Sequence, residues 1–170
     1  MLTHVTCAEI FHLFLDSALT LATIILAGFT LWLVLETKSA AKKQLGVNSW
    51  LYFVNRWESG EMKKARSKLA SQFQFAEETR TMDDTVLDFF EQVGTTYRTE
   101  CIDKQLVYSS FSWDAIHWWA ALEKYIKGMR IEYDDKTTYE DFEALALAMK
   151  DPLPSEVGLT QYLKDEVELG

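Results

Sequence analysis

Proline and glycine are scarce in this chain, which has 2 prolines and 7 glycines among its 170 residues. Long stretches therefore run without the two residues that most often interrupt regular structure, and along them apolar residues recur every three or four positions. This spacing is typical of helices and argues against a turn-rich β fold. The sequence predicts an all-α protein.

Cysteine and histidine are also rare, at 2 and 3 residues. Cys7 and Cys101 lie on opposite sides of a long apolar segment, so there is no disulfide framework, as suits a reducing compartment. No zinc-binding cysteine pair, phosphate-binding glycine loop or nucleophile elbow occurs. We expect no enzymatic activity and no cofactor. Cys101 is predicted to be a small buried side chain, and His117 to lie at the surface or at a second helix interface.

Basic residues are missing from the N-terminal part of the chain, because all 17 lysines and arginines lie at or beyond Lys38. The formal net charge is −9. Binding to nucleic acid requires a basic surface, so this charge argues against a nucleic-acid partner.

Charged residues are absent from positions 17–35, an apolar segment of 19 residues between Asp16 and Glu36. A helix of this length spans about 28 Å, close to the hydrocarbon core of a bilayer. A buried core helix is rarely apolar on nearly all sides, and a signal peptide needs a basic region that residues 1–16 lack. We therefore expect a transmembrane helix at 17–35 that continues to about residue 45 and ends at Gly46.

Lysines follow the apolar segment closely, whereas none precedes it. The positive-inside rule then places residues 1–16 outside and the rest of the chain in the cytoplasm. The sequence thus predicts a single-pass membrane protein. Lys38, Lys42 and Lys43 are predicted to contact lipid head groups.

Polar residues of the apolar helix share one narrow face when the chain is wound at about 100° per residue. These residues are Glu9, His12, Asp16, Thr20, Thr23 and Thr30. Such a face usually marks contact with another helix, and ionisable residues on it are functional candidates. Three interpretations stay open: packing in a homo-oligomer or with a protein partner, a water-lined pore, and a lone helix with incidental polarity. The three ionisable residues fall short of a closed metal site, so no metal is predicted.

Residues 47–150 are predicted to form a compact cytoplasmic bundle of about five or six helices. Trp50 to Trp57 reads as a short helix capped by Asn48 or Ser49, and Glu61 opens the next one. The third helix is expected to bury one face, formed by Val86, Phe89, Phe90, Val93 and Tyr97.

Further helices are predicted after the third one. Asp103 caps a short piece, Ser112 opens the longest helix, and Thr137 with Glu140 resembles a capping box. Residues 151–170 are predicted to be a tail with one weak short helix around 161–167.

Aromatic and charged positions across roughly residues 50–148 form a wider pattern. They include 57–66, the stretch Phe-Phe-Glu-Gln-Val-Gly at 89–94, Trp118-Trp119, Arg130 and 139–143, together with Ile102-Asp103 and Leu106-Val107. In this pattern the chain resembles a family of uncharacterised bacterial helical domains that often follow a single membrane helix. The resemblance implies an inner-membrane location and adds no activity.

Taken together, these features predict a membrane-anchored, non-enzymatic module that assembles with copies of itself or with a partner through the polar face. The alternative is an oligomeric pore or effector, in bacterial stress or phage defence. An enzyme of unfamiliar helical type is a third interpretation, against which the lack of paired catalytic groups counts.

Overall fold

The computed structural model describes residues 7–74, 82–149 and 153–169, with side chains for all of these except 7–16 and 74. Within these ranges every regular element is a helix, which confirms the all-α prediction. The six helices are α1 (Cys7–Trp57), α2 (Gly60–Gln74), α3 (Thr85–Arg98), α4 (Lys104–Glu132), α5 (Glu140–Ala148) and α6 (Glu156–Glu168). The chain divides into two compact units, Met1–Lys42 and Lys43–Gly170.

Helix α1 continues through Gly46 to Trp57, so the predicted helix end at Gly46 and the predicted cap at Asn48 or Ser49 are wrong. Gly46 is buried, and a Cβ there would lie 3.2 Å from the Cys101 carbonyl oxygen and 3.6 Å from the Ile102 Cα. Glycine therefore lets α1 approach the turn between α3 and α4 closely, which is a packing role.

Aromatic rings dominate the core of the second unit. Trp57 at the end of α1 packs on Phe89 of α3 with 4.9 Å between ring centroids, and Phe89 meets Phe111 of α4 at 5.6 Å. Phe90 stacks on Phe142 of α5 at 4.9 Å. The predicted buried face of α3 is confirmed at Val86, Phe89, Phe90 and Val93, each 0% exposed, with Tyr97 partly buried.

Helix α4 is one uninterrupted helix where two were expected. Asp103 caps it, since its carboxylate accepts from the backbone N–H groups of Gln105 and Leu106 at 2.8 and 3.2 Å. The serines around Phe111 do not break the helix. Ser110 instead accepts a hydrogen bond from the Trp50 indole at 2.9 Å, and Phe111 is buried.

Helix α5 begins against α3 at a point where only glycine fits. A Cβ on Gly94 would lie 2.2 Å from the Asp141 carbonyl oxygen. Glu91, also on α3, accepts from the Phe142 backbone N–H at 2.8 Å and so caps α5 from outside. The predicted capping box at Thr137 is wrong, because its hydroxyl donates to Asp135 at 2.7 Å and Tyr139, at φ 54°, is the N-cap residue.

Helix α6 extends beyond both ends of the short helix expected in the tail. Ser155 caps it by accepting from the Gly158 backbone N–H at 3.1 Å. Tyr162, Leu163 and Glu166 are buried. The helix packs mainly against α2, so the last part of the chain belongs to the bundle.

Candidate functional site

Apolar side chains of the first unit are exposed on every side of α1. Leu21, Ile24 and Leu26 have exposed fractions of 62, 64 and 65%. By length and composition, α1 holds the one described helix apolar enough to cross a membrane, with a mean hydropathy of 2.3 over 18 residues and none of that window buried. Soluble monomers rarely expose so large a contiguous apolar surface.

Two threonines of the predicted polar face, Thr23 and Thr30, satisfy their hydroxyl donors within the helix. The Thr23 and Thr30 hydroxyls donate to the Leu19 and Leu26 carbonyl oxygens, each at 2.8 Å. Such bonds let threonine enter lipid at low cost, and the hydroxyl oxygen keeps a lone pair for a neighbouring helix. Thr20 lies exposed on the same helix.

The structure describes the side chains of only some of the other predicted site residues on α1. The side chains of Glu9, His12 and Asp16 lie outside the described residues. Lys38, Lys42 and Lys43 are exposed. No group of three or more His, Cys, Asp or Glu side chains is placed to hold a metal ion in the described part of the chain.

A buried polar cluster joins α2, α4 and α6 in the second unit. Arg66 of α2 and Glu166 of α6 are only 3% and 4% exposed, and Arg66 Nε lies 3.2 Å from Glu166 Oε2. The Arg66 guanidinium also lies 4.1 Å from the Trp57 ring centroid. On α6, the Tyr162 hydroxyl donates to Asp114 Oδ1 of α4 at 2.8 Å. These polar contacts therefore hold α6 against α2 and α4.

Burial dominates the electrostatics of this cluster. Burial raises the pKa of Glu166, and Arg66 opposes the shift. Burial likewise raises the pKa of the Asp114 carboxyl, against the hydrogen bond from Tyr162 and the charge of Arg66. The pKa of Tyr162 is raised well above its ordinary value for the same reason. The positive charge of Arg66 thus acts on two buried carboxyl groups, those of Asp114 and Glu166.

His117 lies at the edge of this cluster. Its ring sits between Trp113 and Tyr162, with centroid distances of 4.1 and 4.6 Å, and its Nδ1 is 2.7 Å from the Trp113 carbonyl oxygen. The side chain is 4% exposed. A surface position is therefore wrong, and the histidine belongs to a second interface, between α4 and α6. Cys101 is exposed, so its predicted burial is also wrong.

A cleft of about 480 Å³ opens between α3, α4 and the turn that joins α4 to α5, and it shares no residue with the polar cluster. Its lining comprises Met82, Asp84, Glu91, Tyr125, Met129, Tyr133, Thr138 and Tyr139. Glu91 is already engaged by the α5 backbone, and the Tyr139 hydroxyl donates to Asp88 at 3.3 Å. Burial raises the pKa of Tyr139 far above that of a free tyrosine. These groups form no nucleophile–base pair of the kind that covalent catalysis uses.

Sequence reasoning missed the cluster of Arg66, Asp114, Tyr162 and Glu166. Each of these is an unremarkable polar residue within its own helix. Only the packing of α2, α4 and α6 brings them together, so the spacing of residues along the chain carried no signal for the cluster.

Comparison with known protein families identifies the family of the chain. The sequence model of one family, described as a domain of unknown function (DUF4760), matches residues 17–149. The chain belongs to the DUF4760 family. The resemblance to a family of helical domains of unknown function is thereby confirmed. The DUF4760 match includes the apolar helix and α2 to α5, whereas α6 lies beyond it. No curated protein and no solved structure matches the chain.

Proposed function

We propose that this DUF4760 protein is a single-pass membrane module that acts without catalysis and assembles through the threonine face of α1. The supporting observation is the wholly exposed apolar segment, whose mean hydropathy is 2.3. A bilayer would cover this surface, and association between helices would then involve the one face that carries polar groups.

The proposed location is the bacterial inner membrane, with the N-terminus outside and the second unit in the cytoplasm. The support is the position of Lys38, Lys42 and Lys43 directly after the apolar segment. Anionic lipid head groups on the cytoplasmic side would attract these lysines.

Thiol labelling of intact cells is expected to leave Cys101 unmodified, while the same membrane-impermeant reagent modifies it after the cells are opened. Cys101 is a suitable reporter because it is exposed on the second unit. A Cys7→Ser background ensures that any label reports on Cys101 alone. Labelling of Cys101 in intact cells would reverse the proposed orientation.

Replacing Thr20, Thr23 and Thr30 together with leucine is expected to weaken self-association in native membranes. Interhelical hydrogen bonds in bilayers are worth about 0.6 kcal/mol each, so the three must act jointly. The measurement is the oligomer fraction after crosslinking. Leu21→Ala with Ile25→Ala is the matched control, since both residues lie on the opposite face and should leave that fraction unchanged.

Two outcomes of this experiment would redirect the proposal. A monomeric wild-type chain would remove assembly through α1. Oligomers that conduct ions in planar bilayers, with a selectivity that Asp16→Asn changes, would favour the second candidate, a pore. The position of the ionisable Glu9, His12 and Asp16 on the same face supports that candidate.

A further inference from the structure

The cleft between α3, α4 and the turn that joins α4 to α5 holds a carboxylate that no described group neutralises. Both oxygens of Glu91 accept from the α5 backbone, at 3.4 and 2.8 Å, and Asp88 accepts from the Tyr139 hydroxyl. Asp84, which also lines the cleft, does not cap α3 with its side chain. Burial, together with the charges of Asp88 and Asp83, raises the pKa of Asp84, and no described basic group opposes the shift.

The rest of the cleft lining is mainly aromatic. Three tyrosines contribute to it, Tyr125, Tyr133 and Tyr139, together with two methionines and Thr138. No lysine, arginine or histidine is among the described lining residues. Burial raises the pKa of Tyr125 and of Tyr139, and the negative charge of Asp84 adds to both shifts, so the two hydroxyls lie near its carboxylate. Since the face of an aromatic ring is also negative, the cleft attracts positive charge.

Hydrogen-bond acceptors in the cleft wall are already occupied. The Arg130 guanidinium donates to the Thr138 and Tyr139 carbonyl oxygens at 2.8 and 3.3 Å, and to Glu143 at 2.6 Å. A ligand rich in N–H donors would therefore find few partners besides Asp84. A metal ion is also poorly served, because no described group of three or more His, Cys, Asp or Glu side chains is placed to hold one.

We propose that this cleft binds a small quaternary ammonium ion, with its positive charge beside Asp84 and its methyl groups against the tyrosines. Such an ion has no N–H group to satisfy, and aromatic rings attract it through cation–π interactions. The volume of about 480 Å³ lies within the range of small-molecule sites. All the lining residues belong to the second unit, so the site does not depend on assembly through α1.

Titration of the full chain with choline chloride tests the site, with the protein in a maltoside detergent and binding measured by calorimetry. Asp84→Asn keeps the shape of the side chain and removes its charge, so we expect the affinity for choline to fall about tenfold. Asp165→Asn is the matched control. Asp165 is exposed on α6 and does not line the cleft, so the affinity should stay that of the wild type.

A second pair of variants tests the aromatic wall. Tyr133 is 63% exposed, so its replacement should leave the fold intact, which circular dichroism checks. Tyr133→Phe keeps the ring face and should bind choline as the wild type does. Tyr133→Leu keeps apolar contact but removes the ring, and should weaken binding several-fold. Equal affinities of these two variants would contradict a role of the ring.

Three further titrations decide what the cleft recognises. The uncharged carbon isostere of choline, in which a quaternary carbon replaces the nitrogen, should not bind detectably. Potassium chloride at the same concentration should not displace choline, because potassium is strongly hydrated and Asp84 offers it a single carboxylate. Glycerophosphocholine should bind more weakly than choline, since no described basic residue lines the cleft to face its phosphate.

Each opposite result would overturn the proposal. Equal binding of the uncharged isostere would show an apolar site, and displacement by potassium would show a site for any cation. Equal or tighter binding of glycerophosphocholine would assign the cleft to a lipid head group instead of a free ion. The absence of choline binding to the wild-type chain would remove the site altogether.

Discussion

Gly94→Ala is expected to lower the free energy of unfolding of the helical domain by about 3 kcal/mol, because it forces an extra methyl group into a packed contact. The new Cβ would lie 2.2 Å from the Asp141 carbonyl oxygen and 2.5 Å from the carbonyl carbon. These are backbone atoms at the start of α5, and Asp141 is also held by hydrogen bonds from Arg98 and Thr95. Helix α5 cannot move away from the new methyl group without breaking these hydrogen bonds. Urea unfolding of residues 43–170, followed by circular dichroism, measures the loss.

Gly128→Ala is the matched control for this experiment. Gly128 lies within α4, and nothing approaches its Cβ position within 4 Å. Alanine there should stabilise the domain by about 0.5–1 kcal/mol, since it removes the entropic cost of glycine in a helix. If both variants unfolded at the same urea concentration, the close contact of α3 with α5 would be refuted.

Arg66→Met is expected to cost about 3–5 kcal/mol of folding free energy, since it leaves Glu166 buried without its counter-charge. Arg66 and Glu166 have side-chain exposures of only 4% and 5%. The double variant Arg66→Met with Glu166→Leu should recover part of this loss, because an apolar pair removes the charges of Arg66 and Glu166, while Asp114 keeps its hydrogen bond from Tyr162. Urea unfolding of the three proteins at the same pH provides the comparison.

The exposed ion pair between Lys63 and Glu58 is the control for Arg66. Its atoms are 3.1 Å apart, with side-chain exposures of 35% and 61%. Lys63→Met should change the stability by no more than about 1 kcal/mol, as for other surface pairs. A loss at Arg66 as small as that at Lys63, or a double variant no more stable than Arg66→Met, would show that the buried charges do not hold α6.

Periodicity along the sequence was enough to predict the helical class, the buried face of α3 and the apolar segment. These features depend on residues close together in the chain, where a spacing of three or four already defines a face. Gly46 shows the limit of this reasoning. Glycine more often ends a helix, and its role here depends on Cys101, which lies far along the chain.

The polar cluster around Arg66 lay beyond sequence reasoning for a related reason. An arginine on α2 and a glutamate on α6 look like solvent-exposed charges when each helix is considered alone. Their burial follows from how two distant helices pack. The members of the predicted threonine face, in contrast, all lie on a single helix.

The pairing of α2 with α6 has a consequence for when the domain folds. The Ser67 hydroxyl donates to the Val167 carbonyl oxygen across 100 residues of chain, whereas Thr95 of α3 reaches Asp141 across 46. During synthesis, α3 can therefore pack on α5 before α6, the helix that packs on α2, has been made. Arg66 stays uncovered until α6 has left the ribosome, so a chain stalled before Ser155 cannot complete the bundle.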